Sequence, residues 1–185
     1  MRNFDLIASG LDVAPLLDAI ESEPARWYDI TLRQRHPGSA HHDTETIFIR
    51  GPKLALDLFN EIESIDYAPA DSAIRIEALR LIEGLPLRIA ELGRVMVVSL
   101  KAGGYIDAHA DEGDYAADFS RFHIAIHAEK GNVFHVGQES AHIRTGECWW
   151  FNHRLEHEVA NLSPDDRIHL IFDARVSSLY QKKEA

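Results

Sequence analysis

The chain has 185 residues, 45% of them hydrophobic and 26% charged, the proportions of one ordinary globular domain rather than of a disordered or fibrous chain. Its formal charge of −11 repels phosphate backbones, and the terminal Lys182-Lys183 pair is too small a basic patch to offset it, which argues against nucleic acid as a partner. No run approaches the roughly 20 apolar residues of a membrane span, the amino terminus lacks a cleavable signal, and the one cysteine, Cys148, excludes an internal disulfide, so a cytoplasmic protein with no membrane partner is expected.

Helical signals dominate the first half. Apolar residues at helix spacing predict a helix over Val13–Ile20, with Asp12 as its cap. Strands are expected at Trp27–Arg33 and Ile47–Arg50, separated by the polar loop HPGSAHHDTET. Further helices are expected at Leu54–Ile62 and Ser72–Ile82. From about residue 94 the pattern changes to short β runs punctuated by turn residues such as Gly103-Gly104, Lys130-Gly131 and Gly146. The runs are Arg94–Leu100, Tyr105–Ala108, Arg121–Ala128, Asn132–Val136, Cys148–Asn152, His157–Asn161 and Arg167–Arg175. Helices first and closely spaced strands afterwards predict an α+β protein. The expected form is a double-stranded β-helix (a cupin-like jelly roll) over residues 94–176, with a helical cover over 1–93, in a single domain.

The chemistry-bearing residues cluster in the second half. His109 and Asp111 are two apart, so in extended chain both side chains reach one point, and His157 opens a later strand. Two imidazoles and one carboxylate leave metal positions open, the signature of non-haem Fe(II) oxygenases. A His-x-Asp pair alone also arises in solvated loops, and Zn²⁺ accepts the same ligands, so a metal-binding module without oxygenase activity and a zinc isomerase or hydrolase stand as alternatives. Ten residues after His157, Arg167 lies in the run DRIHLIFDAR, sharing a face with His169, Ile171 and Asp173. A buried guanidinium needs a carboxylate: that of 2-oxoglutarate, or Asp173 or Glu158 within the protein. Arg121, His123, Ala125 and His127 share a second strand face, which either lines a cavity or faces solvent. Trp149, Trp150 and Phe151 are expected in the core, and His135, His142 and His153 as structural or exposed residues.

The stretches HADEGDYAADFSRFHIAIH, NVFHVG, GECWWFNHRLEHEVAN and DRIHLIFDAR, in this order, resemble the aspartyl/asparaginyl β-hydroxylase family of Fe(II)/2-oxoglutarate dioxygenases. The resemblance implies that His109, Asp111 and His157 bind Fe(II), and that Arg167 pairs with the distal carboxylate of 2-oxoglutarate. It further implies that Ser99 hydrogen-bonds the same carboxylate, and that Arg121 and His123 contact the co-substrate near the metal. Asp111 divides the family. The animal enzymes acting on Asp and Asn residues lack this carboxylate, whereas bacterial members, including those similar to proline cis-hydroxylases, keep it. The implied activity is hydroxylation of an amino acid, free or within a peptide, consuming O₂ and 2-oxoglutarate and releasing succinate and CO₂. Contacts to that substrate are expected from HHDTETIFIR, with His41, His42, Asp43 and Arg50.

Overall fold

Two helices form where short-range signals and an apolar face agree. The helix α1 (Ala14–Ser22) carries Pro15 in its first turn and buries Leu16, Ala19 and Ile20. Its N-cap is Val13 with no side-chain cap, so Asp12 does not serve the predicted role; the Asp12 carbonyl instead accepts a hydrogen bond from Arg80 (2.9 Å). The longer α3 (Ala73–Glu83) starts as expected at Ser72, whose hydroxyl accepts the Arg75 N–H (3.4 Å), and it buries Ile74, Ala78, Leu81 and Ile82.

A computed structural model describes residues 3–35, 37–52 and 63–177. The helix expected at Leu54–Ile62 lies outside the described residues. The strand expected at Trp27–Arg33 does not form: a 3₁₀ turn at Pro24–Tyr28 and the short helix α2 (Leu32–Arg35) occupy that stretch. Local chemistry decides this, because Pro24 opens the turn and Arg26 pairs with both Glu23 (3.0 Å) and Asp29 (3.1 Å) at three-residue spacing.

Eleven antiparallel strands make two sheets among the described residues. They are β1 (Phe4–Ala8), β2 (Thr44–Pro52), β3 (Ser64–Asp66), β4 (Ile89–Leu100), β5 (Tyr105–His109), β6 (Ser120–His127), β7 (Asn132–Val136), β8 (Glu139–Ala141), β9 (Cys148–Phe151), β10 (His157–Asn161) and β11 (Arg167–Val176). The large sheet runs β1-β9-β6-β11-β4-β2-β3 and the small one β5-β10-β7-β8. This is the double-stranded β-helix expected. The first half does more than cover it, since β1, β2 and β3 join the large sheet and β4 begins before residue 93.

Side-chain alternation sorts the large sheet into two faces. Phe122, Ile124, Ile126, Leu170 and Phe172 pack outward against α1 and α3 in the largest apolar cluster. The inward face meets the small sheet through Phe4, Ala125, Phe134, Phe151 and Val159. One corner is closed by Asn161, fully buried, which donates to the carbonyls of Leu100, Lys101 and Asp165 and accepts from Ser163. At another, a short helix α4 (Gly113–Asp118) docks on β4 where Gly93 leaves room, because a Cβ there would collide with Tyr115 and Phe119. The Tyr115 hydroxyl then accepts the Arg94 N–H (2.8 Å), tying the segment after Asp111 to the sheet.

Candidate metal centre and co-substrate site

Strand register brings the three expected ligands together. In the small sheet, β5 and β10 pair so that His157 stands directly opposite His109, a position where neighbouring side chains lie side by side. Just beyond β5, the Asp111 N–H donates to the His153 carbonyl (3.0 Å), which turns the Asp111 carboxylate back toward the same point. One ligand atom from each of His109, Asp111 and His157 then lies within 4.8 Å of the others. The Nδ1 of His109 donates to the Asp107 carbonyl (2.7 Å) and that of His157 to the Leu155 carbonyl (2.9 Å), leaving both Nε2 lone pairs for a metal. Burial pushes the His157 imidazole down to about 4, so it is neutral and ligand-ready near neutral pH.

The Asp111 carboxylate is held from outside the triad. Arg121 Nη1 donates to it (2.6 Å), while the Nε and Nη2 of the same guanidinium grip both oxygens of Asp173 (2.8 and 3.0 Å). Burial alone would raise the Asp111 pKa, but Arg121 and the neighbouring imidazoles hold it below its ordinary value. Arg121 is therefore committed to two carboxylates of the protein, which differs from its expected contact with a co-substrate. The Asp173 expected as an internal partner of Arg167 belongs to Arg121 instead.

Arg167 has the opposite surroundings. It is 2% exposed, on the inward face between the sheets, where Phe134, Val159 and His169 border it. Its Nη2 donates to His169 Nδ1 (2.9 Å), its Nη1 has no hydrogen-bond partner, and no carboxylate pairs with it among the described residues. Burial lowers its pKa for want of a counter-charge. An uncompensated buried guanidinium costs several kcal/mol, and its planar fork suits a carboxylate. The orphaned Nη1 thus fits the distal carboxylate of a dicarboxylate.

His123 lies on the same inward face, buried between Phe151 (ring centroids 5.0 Å) and Phe134 (5.4 Å), with His169 beyond (5.5 Å). Phe151 also packs on His157 (5.2 Å), so it borders the site, whereas Trp150 packs in the helix-side core. Ser99 is not brought to the site. Register places it opposite Ile168, while Arg167 stands opposite Leu100, and alternation turns Ser99 to the other face of the sheet. Of the loop residues, only His41 reaches the triad, its ring 4.9 Å from that of His109; Arg50 pairs with Asp66 away from it. Arg33 and Arg94, which periodicity does not single out, line a cavity beside Asp111 and Arg121.

The family model described as Aspartyl/Asparaginyl beta-hydroxylase matches residues 22–176. The chain belongs to the aspartyl/asparaginyl β-hydroxylase family. It is accordingly a 2-oxoglutarate-dependent dioxygenase, of the class that uses Fe(II), 2-oxoglutarate and O₂. Solved structures share the hydroxylase's fold at low identity. A 2OG-Fe(II) oxygenase family oxidoreductase from Burkholderia pseudomallei is 15% identical over 94% of this chain and 84% of its own, with a TM-score of 0.57. The viral collagen prolyl hydroxylase of Paramecium Bursaria Chlorella virus-1 is 13% identical over 96% and 97%, at 0.55. A Trichoplax adhaerens prolyl hydroxylase, solved with a hypoxia inducible factor peptide fragment, is 11% identical over 94% and 83%, at 0.58. No curated protein matches the chain. Among the described residues no helix is long and apolar enough to cross a membrane.

Proposed function

We propose that this enzyme hydroxylates an aliphatic carbon of an amino acid, either free or as a residue of a peptide, in the cytoplasm. His109, Asp111 and His157 would hold Fe(II), and Arg167 would receive the distal carboxylate of 2-oxoglutarate. When bound, the iron and 2-oxoglutarate supply oxygen activation coupled to decarboxylation, yielding succinate and CO₂. The observation that carries this assignment is the buried, carboxylate-free guanidinium of Arg167 on the inward face, bordered by the Phe134 ring that also neighbours His157.

The chain's own residues have separable tasks in this scheme. Arg121 and Asp173 position Asp111, so that the carboxylate ligand is in place before metal arrives. His169 orients the Arg167 fork through its Nδ1. Phe134 and Phe151 form an apolar wall behind His123 and His157 that excludes water from the centre. That a neighbouring prolyl hydroxylase structure holds a peptide fragment supports keeping peptide substrates alongside free amino acids.

The test is anaerobic. Fe(II) and 2-oxoglutarate added together should produce the weak visible charge-transfer band of the chelate, and admitting O₂ with a panel of amino acids and peptides should stimulate succinate release. A well-folded protein with no band would overturn the assignment.

A further inference from the structure

Beside Asp111 and Arg121 the structure has a cavity of about 240 Å³, close to the smaller limit of small-molecule sites. Three of its lining residues are arginines: Arg33 from α2, Arg94 from β4, and Arg121. Among the described lining residues Asp111 is the single carboxylate, and Arg121 already binds it. The two partners of the Arg33 guanidinium carry no negative charge. Its Nη1 approaches the Met96 sulfur (3.5 Å) and its Nη2 lies 2.9 Å from His41 Nε2. A guanidinium only donates, so His41 Nε2 is the acceptor of this contact and brings no negative charge to Arg33. Burial and the nearby Arg121 lower Arg33 to about 10, the mark of a cation lacking a counter-charge. The Arg94 guanidinium stacks on the Tyr115 ring at 3.8 Å, which fixes its plane at the same cavity. Phe48 and Met96 supply an apolar wall between the two.

Resting on the proposed hydroxylase function, we propose that the substrate carries a carboxylate, which Arg33 and Arg94 receive, while its aliphatic carbons lie along Phe48 and Met96. The reach is short. Arg33 touches His41, and His41 packs edge-on against His109, so one imidazole separates the anion site from the metal ligands. A molecule or residue of amino-acid size spans that gap and presents a C–H toward the metal centre. Two sources share this chemistry: the α-carboxylate of a free amino acid, and the side-chain carboxylate of an acidic residue in a peptide.

Calorimetric titration separates them. The probes are L-proline against L-prolinamide, L-leucine against L-leucinamide, and a terminally blocked Ala-Asp-Ala against Ala-Asn-Ala. Each is added to the protein metal-free and, without O₂, loaded with Fe(II) and 2-oxoglutarate. At least one acid should bind about tenfold or more tightly than its amide, as loss of a charge-assisted contact requires. Arg33→Gln should remove that preference and leave amide binding unchanged, and Arg94→Gln provides the same reading should Arg33→Gln not fold. A free acid as the preferred probe identifies the α-carboxylate; the Asp peptide identifies the side chain. Equal binding of acids and amides, equal weakening of both by Arg33→Gln, or no binding of any probe overturns the proposal. If an acid binds through Arg33 yet Fe(II) and 2-oxoglutarate give no chelate band, the carboxylate site stands and the hydroxylase assignment falls. If a neutral substrate is turned over equally well by Arg33→Gln, the reverse holds.

Discussion

Arg121 and Arg167 project from neighbouring strands of one sheet, on the same inward face and both largely withdrawn from water, yet their partners differ in kind. Arg121 is saturated by two protein carboxylates, Asp111 and Asp173. Arg167 has one neutral imidazole and an idle Nη1. The first arrangement is self-sufficient and belongs to the architecture of the metal centre. The second leaves a buried guanidinium with no opposing charge among the described residues. Burial by itself therefore says little about an arginine's role; the distinction lies in whether the protein supplies the opposing charge.

The largest effect expected from breaking this contrast is at Arg121. Arg121→Met strands the buried Asp173 and the half-buried Asp111 and should destabilise the protein by about 3–5 kcal/mol, measured by denaturant unfolding of the metal-free form. Arg167→Met removes a charge that has no partner, and should leave that stability unchanged or raised. Equal losses for the two variants would erase the contrast.

Next in size is a response to acid. His41, His123, His153, His157 and His169 all have pKa values lowered primarily by burial, His157 to about 4. Their folded values lie below the unfolded value of about 6.5, so the unfolded chain binds more protons between the two. Stability of the metal-free protein is then complete above about pH 6.5 and is lost as pH falls toward 4. Unfolding free energies measured at pH 7 and pH 5 check this, and a flat profile would show that these rings are not buried neutral.

Smaller again is Asn161→Ala, which frees the carbonyls of Leu100, Lys101 and Asp165 and should cost about 1–3 kcal/mol. Calorimetric melting checks it. The smallest change is expected from Ser99→Ala, with 2-oxoglutarate affinity altered less than about twofold because the hydroxyl faces away from Arg167. A tenfold loss in a binding titration would show that Ser99 reaches the co-substrate after all.

These differences explain what was legible in the sequence. The strands after residue 93 were readable because alternation and turn glycines coincide, and the His109–Asp111 pair because extended chain places such residues on one face. Faces within one strand were also readable: Arg167 and His169 do oppose Leu170 and Phe172. Relations between strands were not, because register is a tertiary property. The resemblance implies that Ser99 and Arg121 contact the co-substrate, whereas register turns Ser99 to the other face and Arg121 is held by Asp173 and Asp111. The three-residue β3 and β8 carry too few residues to show a period, and β1 buries Phe4 and Ile7 without strict alternation. Arg33 comes from a four-residue helix, which has no period at all, whereas His41 stands out only through the polar loop that carries it.

Completion of Arg167 by 2-oxoglutarate is tested most directly by titrating Fe(II)-loaded Arg167→Ala with 2-oxoglutarate, without O₂. Followed by the chelate band against the wild-type protein, affinity for 2-oxoglutarate should fall about a hundredfold or more, while Fe(II) affinity measured in parallel is unchanged. Retained 2-oxoglutarate binding, or an equal loss of both affinities, would contradict it and make Arg167 a structural residue.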